Sequence, residues 1–148
     1  MNAKPSLFRV LLVEDELADA HLIRLAFEEN NLLVDLRHVN DGVEAFRFLR
    51  RESGYAEETS PDLILLDLNM PRMNGLTFLE KIKQETAFRH IPVVVLTTSD
   101  SESDILRSYD LGASGYVVKP VDIDDFIHQV KTLEDYWITL VRHPHKPG

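Results

Sequence analysis

Short apolar runs alternate with longer stretches whose apolar residues recur at helical spacing. The apolar runs lie at 8–13, 35–39, 62–67, 92–96 and 115–118. The helical stretches that follow them lie at 17–29, 41–49, 75–85, 102–110 and from about 122 onward. Continuous apolar runs are typical of strands that are buried on both faces of a parallel sheet. Five strand–helix pairs in succession therefore predict an α/β, doubly wound parallel sheet.

The spacing within three of these helices also predicts which face is buried. In each case apolar residues recur three or four positions apart, as expected for one side of a helix. The predicted faces are Ala18, Leu22, Leu25 and Ala26 in the first helix; Val43, Phe46 and Leu49 in the second; and Leu76, Leu79 and Ile82 in the third. The polar stretch over 51–60 contains a glycine and is predicted to be a surface loop.

Polar residues follow the apolar runs at the points where the strands should end. Glu14 and Asp15 follow the first run, Asp67 ends the third, Thr97 follows the fourth and Lys119 follows the fifth. The carboxyl ends of parallel strands share one edge of the sheet, where α/β proteins place their ligand sites. We therefore expect these side chains to converge. A carboxylate such as Asp67 in that place is a nucleophile, a metal ligand or both.

Composition narrows the class of protein. The chain has 148 residues and a formal net charge of −9, which argues against a nucleic acid bound through its phosphates. It contains no cysteine, so disulfides and thiolate metal sites are excluded. No signal core or transmembrane run is present, which predicts a cytoplasmic protein without a membrane partner. We predict one domain over 7–141 and a flexible tail over 142–148.

In combination, these motifs resemble the receiver domain of two-component response regulators. The resemblance covers roughly 7–137 and rests on Val13-Glu14-Asp15, on the run 66–71 and on Thr97, while the run 112–120 is very similar to the chemotaxis receiver. The polar loop before the third strand and Tyr136-Trp137 are more similar to stand-alone regulators paired with bacterial phytochromes. The resemblance implies a flavodoxin-like sheet in the order 2-1-3-4-5 with five helices.

The resemblance also implies a phosphorylation site that uses Mg²⁺. Asp67 would be the phosphoacceptor, with a sensor histidine kinase, in the narrower resemblance a bacterial phytochrome, as the donor. Glu14, Asp15, Asp67 and the backbone carbonyl of Asn69 would hold the cation. Neighbouring carboxylates repel one another, and a divalent cation relieves that repulsion. Mg²⁺ suits a site with few carboxylates, waters and a phosphoryl oxygen.

Two residues from the later strands are implied to bind the phosphoryl group. Lys119 would contact one phosphoryl oxygen, and without phosphate it would pair with Asp67. Thr97 would bind another oxygen, and Thr97 and Tyr116 would act as the switch pair. In the family the bond between Lys119 and Pro120 is cis, a geometry that usually marks a specific turn.

Other functions agree less well with the sequence. A flavodoxin-like flavoprotein needs a hydroxyl- and glycine-rich loop after the first strand, and Glu14-Asp15-Glu16 would repel a flavin phosphate. An aspartate phosphatase of the haloacid type needs a second aspartate two residues after the nucleophile, where this chain has Asn69. A receiver-like scaffold that is never phosphorylated is disfavoured by the presence of Asp67 and Lys119. We therefore predict a signalling protein that is not an enzyme.

The end of the chain predicts a homodimer. The helical apolar stripe continues to Trp137, and Leu140-Val141 prolong it; its earlier members are Ile123, Phe126, Ile127, Val130 and Leu133. The apolar residues near the end of the chain would lie on too many sides of the helix to share one buried face. Exposed aromatic patches often mark interfaces. About ten residues follow the last helix, so we expect output through protein contact or phosphate relay.

Overall fold

The computed structural model describes residues 8–29, 34–52, 54–70, 72–119, 122 and 124–129. The strands within these ranges are β1 (Phe8–Val13), β2 (Val34–Val39), β3 (Leu63–Leu66), β4 (Val93–Thr97) and β5 (Gly115–Val118). The helices are α1 (Leu17–Glu29), α2 (Gly42–Leu49), α3 (Gly75–Gln84), α4 (Glu102–Asp110) and a fifth, α5, over 124–129. The predicted strands and the first four helices are confirmed, with ends that differ by one residue at most, and the last helix is confirmed over its described residues.

The strands form one sheet in the order β2-β1-β3-β4-β5, and every neighbouring pair is parallel. This is the flavodoxin-like order that the resemblance implied. β1 and β3 lie side by side in the middle, with Val13 in register with Leu66. The residues that follow these two strands therefore emerge next to each other at the carboxyl edge of the sheet.

Two apolar layers, one on each face of the sheet, form the core. Alternate residues of a strand point to opposite faces, so Leu11 and Val13 join the layer beneath α2 and α3, while Val10 and Leu12 join the layer beneath α1 and α5. Phe78 of α3 is fully buried in the first layer, with its ring centroid 5.0 Å from that of Phe46. The continuous apolar runs thus reflect strands that are covered on both sides.

The predicted buried face of α1 was wrong in part. Ala18 is exposed and Leu22 and Leu25 are half-buried, whereas Ala26 is buried as predicted. The buried residues of this helix are Ala20, Ile23, Ala26 and Phe27. Apolar residues occur on several sides of α1, so spacing alone does not select the face. Packing against the strands decides which face is buried, and it places Ile23 and Phe27 in the core.

Side-chain caps fix the starts of three helices near the site. Asp41 accepts a hydrogen bond from the backbone N–H of Glu44, and Asn74 accepts one from that of Thr77. Ser101 caps α4 in the same way. Such caps satisfy backbone donors that the first helical turn leaves unpaired. They determine where each loop at the carboxyl edge gives way to helix.

The predicted loop over 51–60 is confirmed over its described residues. No helix in the described part of the chain is long and apolar enough to cross a bilayer. The predicted tail over 142–148 and the apolar stripe beyond 129 lie outside the described residues, as does Pro120, on which the expected cis bond depends.

Candidate functional site

Three carboxylates meet where β1 and β3 end. Glu14 and Asp67 are buried, with 0% and 6% of their surface exposed, whereas Asp15 is exposed. One carboxylate oxygen from each lies within 4.8 Å of the other two. The backbone N–H of Asp67 donates to the carbonyl of Val13, and that of Glu14 donates to the carbonyl of Val39, each at 3.0 Å. The sheet ladder thus positions these residues, as the sequence predicted.

This cluster of three carboxylates fits a small, hard divalent cation. Three carboxylates within a few ångströms of one another repel when all are ionised, and two of them belong to buried side chains. Mg²⁺ prefers oxygen ligands and is commonly held by one or two carboxylates with waters completing its shell. The exposed Asp15 leaves one side of the group open to solvent, where water or a phosphoryl oxygen can enter. The donor set therefore matches Mg²⁺.

Lys119 places a positive charge beside the carboxylates, although its closest partners differ from the predicted one. Its amine donates to the Glu14 carboxylate in a very short contact and to Asp19 Oδ2 at 2.9 Å. The expected partner, Asp67, lies 4.0 Å away, at the outer limit of an ion pair. The reason is geometric: Glu14 and Asp19, in the first turn of α1, both lie within hydrogen-bond distance of the lysine amine. Lys119 therefore bridges two acids and only approaches the third.

Burial changes the pKa values of Glu14 and Lys119. It raises the pKa of Glu14 to about 8, with a smaller upward contribution from Asp67, while Lys119 pulls that pKa down. Burial by itself lowers the pKa of Lys119, but the hydrogen bond and the charge of Glu14 outweigh it, so the pKa is raised. Desolvation disfavours the charged form of any group, and an opposite charge favours it. Glu14 is consequently a much weaker acid than an ordinary glutamate when no cation is present.

Thr97 and Tyr116 lie on the neighbouring strands, as predicted. Thr97 ends β4 and is fully buried, and its hydroxyl accepts a long hydrogen bond, 3.4 Å, from the backbone N–H of Ser99. The carbonyl of Thr97 accepts from the N–H of Lys119 at 2.8 Å, which aligns the two strand ends. Tyr116 is half-buried, and its hydroxyl donates to the carbonyl of Ser99 at 2.8 Å. Both residues thus hold the loop between β4 and α4.

Asn69 lies two residues beyond Asp67 with its side chain exposed. Its backbone N–H donates to Asp67 Oδ1 at 3.5 Å, a long contact that keeps the loop near the carboxylate. Farther along, Gly75 begins α3 by donating its N–H to the carbonyl of Leu68 at 2.9 Å. The loop from β3 to α3 therefore returns close to its own starting point.

Two residues of this site were not predicted from the sequence. Asp19 was missed because it belongs to the helix, and its contact with Lys119 spans 100 positions of sequence. His38 of β2 was missed because an isolated histidine in a strand has no local pattern. Its Nε2 lies 2.7 Å from the carbonyl of Glu14, an oxygen that can only accept, so Nε2 carries the proton. An acid in the first helical turn after an acidic loop was the only available clue to Asp19.

Comparison with known proteins identifies one family. The model of the response regulator receiver domain matches residues 10–131. Response regulator Rcp1 from Synechocystis sp. is 38% identical over 135 residues, which cover 91% of this chain and 92% of that protein.

Solved structures give the same result. The phosphorylated cyanobacterial phytochrome response regulator RcpA is 40% identical, with a TM-score of 0.84 over 90% of this chain and 96% of that one. The Mn²⁺-bound form of Rcp1 is 36% identical, with a TM-score of 0.80 over 95% and 99% of the two chains. The bacteriophytochrome response regulator RtBRR is 34% identical, with a TM-score of 0.72 over 97% and 100%.

Proposed function

Because this chain belongs to the response regulator receiver domain family, in which a histidine kinase phosphorylates an aspartate, we propose that Asp67 is its phosphoacceptor. The observation that carries this proposal is a buried carboxylate at the end of a central strand, beside two further acids and a lysine amine. The chain is a signalling protein that uses Mg²⁺, and each molecule takes up one phosphoryl group instead of turning over a substrate.

The proposed step is an in-line transfer. A carboxylate oxygen of Asp67 attacks phosphorus and forms the acyl phosphate. The bond from phosphorus to the histidine nitrogen of the donor breaks, and its electron pair stays on that nitrogen, which takes up a proton. Mg²⁺, when bound by Glu14, Asp15, Asp67 and the carbonyl of Asn69, neutralises charge on the transferring group.

In this proposal the remaining residues act on the phosphoryl oxygens. Lys119 moves from Asp19 toward the new oxygens as a compact point charge, which suits an ammonium group. The hydroxyl of Thr97 donates to another phosphoryl oxygen. Tyr116 is linked to this change because its own acceptor, the carbonyl of Ser99, lies in the loop that follows Thr97. The signal is thus a rearrangement of the edge near β4 and β5.

Acetyl phosphate tests the assignment directly. Incubation with Mg²⁺ is expected to add the mass of one phosphoryl group, and Asp67→Asn or excess EDTA is expected to prevent it. Asp110→Asn, the same substitution at an exposed acid in the last turn of α4, is the matched control and should label normally. Equal labelling of Asp67→Asn and the unaltered protein would overturn the proposal.

We further propose that the kinase partner is of the phytochrome class and that the protein works in the cytoplasm. The support is that RcpA and RtBRR, both phytochrome regulators by name, match nearly the whole chain. A phosphorylated bacterial phytochrome kinase should transfer to this chain much faster than an unrelated phosphorylated histidine kinase at equal concentration. Equal transfer rates from the two kinases would contradict the partner but not the phosphoacceptor.

We also propose a homodimer formed by the last helix and its extension. Phe126 is buried and Ile127 packs against the core, so the start of the apolar stripe serves the domain itself. The proposal therefore rests on the later apolar residues of the sequence, Trp137, Leu140 and Val141, which lie outside the described residues.

A further inference from the structure

A bidentate ion pair fastens the middle of the loop that follows Asp67. Arg72 Nε donates to Asp41 Oδ2 at 2.7 Å, and a terminal nitrogen of the same guanidinium donates to Asp41 Oδ1 at 3.1 Å. Paired parallel contacts of this kind are directional as well as strong. The pair joins the connection between β3 and α3 to the N-cap of α2, across 31 positions of sequence.

Asp41 is more constrained than an ordinary surface partner. Its side chain is 6% exposed, and Oδ1 also caps α2 by accepting from the N–H of Glu44 at 3.0 Å. Burial alone raises the pKa of Asp41, but Arg72 and the backbone donors outweigh it, so that pKa lies below its usual value. The Asp41 carboxylate is therefore held in one orientation by its hydrogen bonds.

The backbone of Arg72 points to the same conclusion. Its φ is +62°, in the left-handed region that residues with a Cβ adopt at a cost. Such conformations persist where the surrounding structure enforces them, and they concentrate at functional sites. In the salt bridge between Arg47 and Glu44, on the surface of α2, the acid is more exposed than Asp41 and both residues have helical backbones. The unusual backbone and the buried partner thus indicate that the Arg72 contact is part of the folded structure of the loop.

Close packing supports the loop on both sides of Arg72. A Cβ placed on Gly42 would lie 2.9 Å from Met73 Sδ, so Met73 packs directly on the start of α2. A Cβ placed on Gly75 would lie 2.4 Å from the carbonyl oxygen of Asp67. Between Asp67 and Gly75 the loop carries Asn69, whose carbonyl is the fourth expected cation ligand. Arg72 is the charged anchor of that segment.

We infer that Asp41 and Arg72 are positioning residues, whose ion pair holds the β3–α3 loop in the shape that binds Mg²⁺ and receives the phosphoryl group. Neither side chain touches the carboxylate cluster, so the pair acts through the backbone of the loop. The inference rests on the proposed function, because it takes that cluster to be the Mg²⁺ site. It predicts that Mg²⁺ affinity depends on a contact with α2.

The test is calorimetric titration of the metal-free protein with Mg²⁺ well below its thermal midpoint. Arg72→Gly removes the guanidinium while permitting the left-handed backbone, and Asp41→Asn removes the charge while keeping a good helix cap. Each variant is expected to weaken Mg²⁺ binding about tenfold, the lower end for residues that support a metal site from outside it. Arg51→Gly is the matched control, since Arg51 also has a positive φ, of 55°, and it should leave the affinity unchanged.

The double variant and a site variant complete the experiment. Asp41→Asn combined with Arg72→Gly should bind Mg²⁺ no more weakly than Arg72→Gly alone, because that single variant already removes both the Asp41 contact and the longer contact of Arg72 with Glu44, at 3.7 Å. An Mg²⁺ dissociation constant within twofold of the unaltered protein in Arg72→Gly, even with a lowered thermal midpoint, overturns the inference, as does an equal loss in Arg51→Gly. If Asp15→Asn also leaves Mg²⁺ binding intact, the proposed site itself is wrong. If Asp15→Asn abolishes binding while Arg72→Gly does not, only the positioning role fails.

Discussion

Glu14 carries a carboxyl group with no exposed surface, next to a second buried acid and one lysine. Because burial raises the pKa of Glu14 to about 8, the folded, metal-free protein retains a proton there that the unfolded chain releases near its ordinary value of 4.5. In the proposed Mg²⁺ site, the cation would remove that cost by replacing the proton. Metal binding and protonation of Glu14 are therefore opposed.

The stability of the metal-free protein should consequently depend on pH through this residue. Between pH 4.5 and about 8 the folded state binds more protons than the unfolded state, so this contribution to stability falls as pH rises. Glu14→Gln removes the contribution. Urea unfolding in EDTA at pH 5.5 and 7.5 should show the variant gaining stability relative to the unaltered protein at the higher pH. Parallel pH curves for the two proteins would contradict the raised pKa.

Lys119 is expected to transmit the phosphorylated state without being needed to bind Mg²⁺. Lys119→Ala should keep Mg²⁺ binding, because the carboxylate ligands remain, but should lose the conformational response to beryllofluoride, a phosphoryl mimic. Amide NMR shifts measure that response. Lys83→Ala is the control: it removes a half-buried lysine whose amine donates to the carbonyls of Arg89 and Ile91, away from the site. A full response in Lys119→Ala would exclude the role.

Among the elements, the connection from β3 to α3 links residue identity most directly to the geometry of the site. It begins at Asp67, the proposed phosphoacceptor, and its end at Gly75 folds back onto the backbone of Asp67 and Leu68. No other residue type fits there, because a Cβ would lie 2.6 Å from Leu68 Cα and 2.4 Å from the Asp67 carbonyl oxygen. The glycine is thus required by close approach of two backbones.

Gly75→Ala should therefore disturb both stability and the site. Forcing the added methyl group against backbone is expected to cost about 2 to 3 kcal/mol of the free energy of unfolding, and the shift of Asp67 should weaken Mg²⁺ binding. Gly54→Ala is the comparison: its Cβ meets open space, although its φ is +88°. That variant should lose about 1 kcal/mol from backbone strain alone and bind Mg²⁺ normally. Unchanged Mg²⁺ affinity in Gly75→Ala would count against this account.

For the molecule as a whole, the proposed homodimer makes a prediction about its size in solution. If the extension forms the dimer, truncation after Asp135 should convert a dimer to a monomer at micromolar concentration while the far-ultraviolet circular dichroism of the domain persists. Sedimentation before and after phosphorylation of Asp67 is the measurement. A monomer in every state, or a dimer that survives truncation, would refute the proposal. Trp137→Ala, which removes one large apolar side chain, should weaken the dimer in the same direction.

The pattern of residues along the chain was enough to predict the elements, the parallel sheet and the acids that meet at its carboxyl edge. Continuous apolar runs are encoded locally, and β1, β3 and β4 follow them closely because strands covered on both faces tolerate few polar residues. The acids after β1 and β3 were predicted to meet because parallel strands share a carboxyl edge. The order of the strands and the roles of the site residues depended on resemblance to a family.

The partners of the charged side chains follow from tertiary packing, which local sequence patterns do not encode. The buried face of α1 followed from its packing on the sheet, since its apolar residues lie on several sides. Lys119 bridges Glu14 and Asp19, which lie 105 and 100 positions away in the sequence. Arg72 binds Asp41, which lies 31 positions away. Local patterns encode the periodicity of one element, whereas an ion pair between loops depends on how several elements pack together. That packing brings the ends of distant segments to one edge of the sheet.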